Sequence, residues 1–232
     1  MSRADLIKLT PRLRMVADTV RPGAAVADIG TDHAYIPVYL LQNGICPRAI
    51  AADLRKGPLA NARAAVILFG LEDKISLRLS DGLDAVAAGE AQNIILAGMG
   101  GILITELLAR TPWLRDSSVH LILQPMTHAE DVRRFLLGNG FEILFENACF
   151  EGNRCYISIC ARYNGSLEMP VNAAYYYTGK LPDCDNDAAR EYIAKLGRRL
   201  IKKAAALEKA GSNREEVNRL KEIINGIQGG SL

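Results

Sequence analysis

Five short apolar runs alternate with helix-forming stretches over the first 140 residues, and each leads into a turn containing Gly, Asp or Pro. The runs cover 25–29, 48–53, Ile75–Leu79, 93–97 and 119–123. Between them, stretches near 34–43, 56–69, 102–109 and 128–138 keep one face apolar, as Leu59, Ala62, Val66 and Phe69 do before the Gly70 cap. Five strand–helix units of this kind require a parallel sheet with right-handed crossovers. Two further β-like runs, 141–150 and 154–162, are joined by Glu151-Gly152-Asn153 with no helix between them, so they form a hairpin and add one antiparallel strand. The expected fold is α/β, a doubly wound sheet of seven strands.

Flanking segments have a different texture. Residues 5–20 repeat Leu13, Val16, Ala17 and Val20 on one helical face and stop at Arg21-Pro22-Gly23. Residues 164–186 are rich in Gly, Pro, Asn and Asp, with a Tyr175-Tyr176-Tyr177 cluster. Two amphipathic helices follow, over 188–209 with a stripe of Ile193, Leu196, Leu200, Ala204 and Leu207, and over 213–227 with Val217, Leu220, Ile224 and Ile227. Gly211 ends the first, and Ser212 with Glu215 reads as a capping box for the second. Two stripes joined by a short loop form an antiparallel helical hairpin of coiled-coil type. The expected domains are 1–163 and a small hairpin domain, 164–232.

Charge bears on partners through its distribution. The net charge is only +2, but Arg190, Lys195, Arg198, Arg199, Lys202 and Lys203 face a single acid, Glu191, within 190–203. The five cysteines show no metal-ligand spacing and no disulfide pattern, so free thiols in a reducing compartment are expected, with no metal. No signal-like or membrane-spanning apolar run is present, which makes the expected location cytoplasmic.

The strand ends carry the chemistry. Asp28, Asp53 and Asp81 sit at or just past the ends of the first three runs. In a doubly wound sheet those ends line one crevice at the switch point. A dinucleotide would ask for G-x-G-x-x-G after the first strand, because pyrophosphate rests on glycine backbone and a helix N-terminus. The stretch here is Gly30-Thr31-Asp32-His33-Ala34-Tyr35, with an acid where phosphate would approach. A ligand with an adenosine and a positive centre fits better, and S-adenosylmethionine has both. Asp53 suits its ribose diol, Asp81 its adenine amino group, and Asp28 and Asp32 its ammonium and sulfonium. Ala97-Gly98-Met99-Gly100 follows the fourth run, where methyl donor and acceptor must meet, and lets backbone approach a planar ligand closely. Each acid alone could be a helix cap, and His33 alone could be structural.

Asp28-Ile-Gly-Thr-Asp-His-Ala-Tyr-Ile-Pro37, Ala97-Gly-Met-Gly-Gly101 and Leu123-Gln-Pro125 together resemble the bacterial TrmK family. The resemblance covers the whole chain. It implies a class I, Rossmann-like methyltransferase domain with a C-terminal helical hairpin, and methyl transfer from S-adenosylmethionine to N1 of adenine 22 in tRNA. The wider class I pattern D/E-x-G-x-G-x-G is only partly met, since Asp32 and Ala34 replace its second and third glycines. The N-P-P-Y of many adenine-N6 enzymes is absent after the fourth run, which argues against chemistry on the exocyclic amine. The candidate cofactor residues are Asp28, Gly30, Asp32, His33, Asp53, Leu54, Ser80, Asp81, Gly82, Ala97, Gly98, Met99 and Gly100.

N1 of adenine has an in-plane lone pair, so catalysis is mainly alignment and desolvation. Asp32 is the candidate for stabilising the cationic product, with His33 or Gln124 orienting the base. With tRNA as substrate, Arg12 and Arg14 near the site and Arg198, Arg199, Lys202 and Lys203 on the hairpin become candidate phosphate contacts. The expected assembly is a monomer or weak dimer. Three rivals remain: a small-molecule methyltransferase, which would not need the basic hairpin; a non-catalytic RNA-binding protein, to which the strand-end acids are a liability; and a dehydrogenase, which lacks its glycines.

Overall fold

The computed structural model describes residues 6–167, 170, 172–211 and 214–229. Its centre is β1 (Val26–Ile29), a strand buried along its whole length. Around it lie β2 (Ala49–Asp53), β3 (Ile75–Leu79), β4 (Asn93–Gly100), β5 (His120–Thr127), β6 (Phe141–Glu151) and β7 (Arg154–Tyr163). The seven strands run in the order β3-β2-β1-β4-β5-β7-β6. The first five are parallel, and β7 enters antiparallel to both β5 and β6. The expected α/β sheet is therefore present, and chain order reverses between β1 and β4, the place where such sheets open a crevice at their carboxyl ends.

Alternate side chains of the central strands feed two layers. Ala27, Ile29, Ile94, Leu96, Leu121 and Leu123 pack with α4 (Gly101–Arg110) and α5 (Ala129–Gly138). Val26, Ala51, Ile95 and Ile122 pack with α1 (Pro11–Ala17), α2 (Tyr35–Gln42) and α3 (Lys56–Leu68) on the other side. The period-2 pleat turns near-continuous apolar runs into two cores.

Three boundaries differ from the sequence reading. The first helix begins at Pro11, with residues 6–10 of the expected span outside it and Thr10 extended before it, while residue 5 lies outside the described residues; a residue preceding proline is sterically kept out of the helical region. The third crossover contains no helix, so four of the five parallel strands are followed by one. Residues 80–92 instead wind through turns clamped by Arg78, whose guanidinium meets both oxygens of Glu90 at 2.7 and 2.9 Å. Finally, β4 and β5 run on to Gly100 and Thr127. Beyond Leu123, β7 no longer pairs with β5, so Pro125 lies at a margin where its missing donor is tolerated, and the ladder with β4 shifts register at Met99.

After β7 the chain passes through α6 (Tyr175–Thr178) into α7 (Asp187–Lys209), which starts with Asn186 accepting the Ala189 N–H at 2.7 Å. It returns as α8 (Arg214–Gly229). Leu196, Leu200 and Ala204 meet Leu220, Ile223, Ile224 and Ile227 in a core of their own. The root of α7 belongs to a second cluster, in which Ala188 and Ala189 pack on Ala129 of α5 and on Ala148 and Ile157 of the main sheet. Ser212 of the expected capping box lies outside the described residues. No helix among the described residues is long and apolar enough to cross a membrane.

Candidate functional site

The turn after β1 is built by backbone. The N–H groups of Gly30 and Thr31 both donate to the Ala52 carbonyl, at 2.8 and 3.0 Å, which ties the end of β1 to β2. Gly30 takes a φ of 76°, and a Cβ there would strike the Met99 methyl group. Glycine therefore serves both the turn and the close approach. Thr31 folds back to accept the Ala34 N–H at 3.1 Å, and Ala34 starts α2 from the left-handed region at φ 52°. This curl throws Asp32 and His33 outward. The Asp32 carboxylate is 70% exposed at the mouth, 3.6 Å from His33 Nε2, and the His33 ring stacks on Tyr35 at 4.8 Å.

Beneath them is a crevice of about 330 Å³, walled by Arg12, Leu13, Asp28, Gly30 to Ile36, Ala97 and Gly98. Asp28 lies buried in it. Burial raises its carboxyl to a pKa of about 6, against the lowering effect of a Thr31 hydrogen bond, and the neighbouring Asp53 adds to the rise. Arg12 is the one Lys or Arg among the described lining residues. Its Nη1 donates to Gln124 Oε1 at 3.0 Å, its guanidinium carbon stands 5.6 Å from the Tyr156 ring centre, and its backbone N–H donates to Glu151 at 3.0 Å. The same Gln124 oxygen accepts the Gly98 N–H at 3.1 Å. Gln124 is fully buried with its amide nitrogen turned to the Pro125 carbonyl, so it acts on the crevice by holding Arg12 and the Gly98 turn.

The remaining candidates spread along the strand ends. Asp53 is buried at the end of β2 and accepts the Arg55 N–H at 2.7 Å, with Leu54 exposed beside it. The Ser80 hydroxyl is spent inside its own turn, donating to the Gly82 carbonyl and accepting the Ala85 N–H. Asp81 is held by Arg110 at 2.6 Å, and that hydrogen bond lowers its pKa. Gly100 sits opposite Thr127 on β5, and a Cβ on Gly101 would fall onto the Thr127 and His128 carbonyls. The glycine-rich stretch thus lets α4 start hard against the loop after β5.

The candidate phosphate contacts divide. Arg12 faces the crevice. Arg14 is engaged with Asp18 at 2.6 Å and lies over Tyr39. Arg198 pairs with Glu191 at 2.9 Å and Lys203 with Glu216 at 3.1 Å. Arg199 and Lys202 form no ion pair among the described residues. Sequence reasoning missed Glu151 and Tyr156 as supports of Arg12. They lie about 140 residues away, in a segment whose local signal is only that of a hairpin. The five cysteines are free, and burial pushes the Cys46 and Cys149 thiols up to about 11 and Cys160 to about 12. Among the described residues, no group of His, Cys, Asp and Glu is arranged to hold a metal.

Two carboxylates, a single guanidinium and no glycine cradle make a site for a ligand carrying both charges rather than for a diphosphate. A methyltransferase-domain family matches residues 9–159. The tRNA (adenine(22)-N(1))-methyltransferase of Bacillus subtilis is 39% identical over 150 residues, 65% of this chain and 63% of that relative. The crystal structure of the B. subtilis m1A22 tRNA methyltransferase TrmK superposes with a TM-score of 0.83 at 30% identity, covering 95% of this chain and 96% of that one. A Streptococcus pneumoniae protein described as a putative tRNA (m1A22) methyltransferase, solved in complex with S-adenosyl-L-methionine, superposes with a TM-score of 0.78 at 31% identity, covering 92% and 98%.

Proposed function

The chain belongs to the TrmK family of methyltransferases, and on that premise we propose that it transfers a methyl group from S-adenosylmethionine to N1 of an adenine in tRNA, at position 22. The observation that carries this reading is the crevice between the ends of β1 and β4, with Asp28 in its wall, Asp32 at its mouth and Arg12 across from them. A cytoplasmic location goes with a tRNA substrate.

The residues fit the cofactor by charge. Asp53 would take the ribose diol, a charge-assisted contact contributing roughly 1.5–3 kcal/mol. Asp28 would meet the ammonium and Arg12 the carboxylate of the methionine end. Gly98 and Met99 would close over the sulfur side. Leu54 would lie along the adenine ring, with Asp81 at the adenine amino group and Arg110 fixing its direction. When bound, the cofactor supplies a methyl group made electrophilic by its sulfonium.

The protein's share in the reaction is placement and charge. Adenine N1 attacks with its own lone pair, so no side chain need remove a proton first. A positive charge then grows on the base. Asp32, at the mouth, would stabilise it through its negative charge. His33, stacked on Tyr35, holds the Asp32 side of the mouth. Gln124 keeps Arg12 and the Gly98 turn in register. Because N1 lies on the pairing edge, the adenosine must leave its stack to enter, at a cost of a few kcal/mol.

The test is transfer of labelled methyl to an unmodified tRNA transcript, followed by mapping of the modified base through reverse-transcription stops. A single stop at adenine 22, lost when that base is replaced by guanine, is the expected result. Label at another nucleotide would overturn the position, and absence of label would overturn the activity.

A further inference from the structure

A second cavity, of about 340 Å³, lies between the loop after β5, the β6–β7 turn and the first half of α7. Tyr156 is common ground. It lines this cavity, while its ring backs the guanidinium of Arg12, which lines the first. The end of β5 that lines the second cavity contains Thr127, the register partner of Gly100, which lies two residues past Gly98 in the wall of the crevice. The two cavities therefore open at the same end of the sheet and share a wall.

Arg154, Lys195 and Arg199 line the second cavity from two different elements, with Glu130 as the acid among its described lining residues. Lys195 is partly engaged, 3.7 Å from Glu191 and 3.3 Å from the Asn153 carbonyl. Arg154 and Arg199 form no ion pair among the described residues. Tyr156, Tyr192 and a half-exposed Met126 supply flat and apolar surface between these charges. Two unpaired guanidinium groups beside such surface are suited to a phosphate with a base attached, the mode in which single-stranded RNA is held. The outer hairpin is less suited, because Arg198 and Lys203 are already neutralised by Glu191 and Glu216.

We propose that this cavity is a second nucleotide subsite, which binds the phosphate and base adjoining the adenosine that enters the crevice. Arg154 and Arg199 grip the phosphate, and Tyr156 and Met126 face the base. RNA is thus gripped at the root of the hairpin, not along its length. This rests on the tRNA reading above and deepens it.

The test is binding of a fluorescent, unmodified tRNA transcript by anisotropy across a salt series, with turnover measured alongside. For Arg154→Gln/Arg199→Gln, Kd and KM for tRNA should rise about tenfold or more, and the log–log salt slope should shrink by about 0.7–0.9, the share of one phosphate. Turnover at saturating tRNA and affinity for S-adenosylhomocysteine should stay within about twofold. Arg154→Lys/Arg199→Lys, which keeps the charge, should recover most of the salt slope, and an unchanged melting temperature controls for folding. An unchanged Kd and slope in the Gln pair would overturn the proposal. So would finding the whole loss in Lys202→Gln/Lys203→Gln instead. Wild-type turnover on tRNA separates failure of this subsite from failure of the activity itself.

Discussion

Two aspartates four residues apart behave differently because one is buried and the other is not. Asp32 is exposed at the mouth, and His33 is its one ion-pair partner among the described residues. Asp32→Asn keeps the shape and removes the charge, so turnover should fall about 100-fold while S-adenosylhomocysteine affinity stays within a few-fold; unchanged turnover would remove Asp32 from the chemistry. Asp28, held by burial at a pKa of about 6, retains its proton to a higher pH than the unfolded chain does. The sign follows directly. This group favours the folded state below the usual carboxylate range, and that contribution is lost as pH rises toward 6. An ammonium ligand requires the ionised form, so cofactor affinity should rise about tenfold from pH 5 to 7 and then level off. Calorimetric titration of S-adenosylhomocysteine across that range checks it. Asp28→Asn should flatten the profile, and a wild-type profile already flat would exclude Asp28 as the ammonium partner.

Elements are joined by a buried ion pair the sequence does not advertise. Arg133 of α5 and Glu146 of β6 are both 0% exposed and meet through two hydrogen bonds of 2.8 Å. Arg133 also donates to the Tyr176 and Tyr177 carbonyls, which anchors α6 to the sheet. A Cβ on Gly179 would enter the pair itself, so the chain passes tightly over it. Arg133→Met would strand a buried carboxylate and release two carbonyls. The expected loss is about 3–5 kcal/mol, read as a fall in the denaturant midpoint. A midpoint within experimental scatter of the wild type would show that the carboxylate protonates or finds water at little cost.

Across the whole molecule, the helical hairpin is both an appendage and a buttress. Its outer part has a core of its own, but Ala188 and Ala189 complete an apolar cluster with Ala129, Ala148 and Ile157. A chain ending at residue 163 would uncover that cluster and leave Arg133 without its two carbonyl partners. It should melt more than about 5 °C below the full chain. Equal melting would make 1–163 and 164–232 independent domains. The same root shapes one wall of the second cavity, so truncation should also weaken tRNA binding more than cofactor binding.

Periodicity and turn chemistry by themselves determined the α/β class, the seven strands and the helical hairpin, because those signals are local and repeat every two or about four residues. Asp32 in place of a glycine, with the motif around it, was enough to indicate the cofactor and family. The absence of a helix after β3 was less legible, since Leu83, Val86 and Ala91 bury themselves from turns as readily as from a helix. Only the tertiary structure decided which cations are available. Arg14, Arg198 and Lys203 are spent on neighbouring acids, whereas Arg12 is drawn into the crevice by Gln124, Glu151 and Tyr156. Arg154 and Arg199, 45 positions apart, share a cavity. Charge acts through space, and sequence order carries no record of which distant side chains folding will bring within a few ångströms.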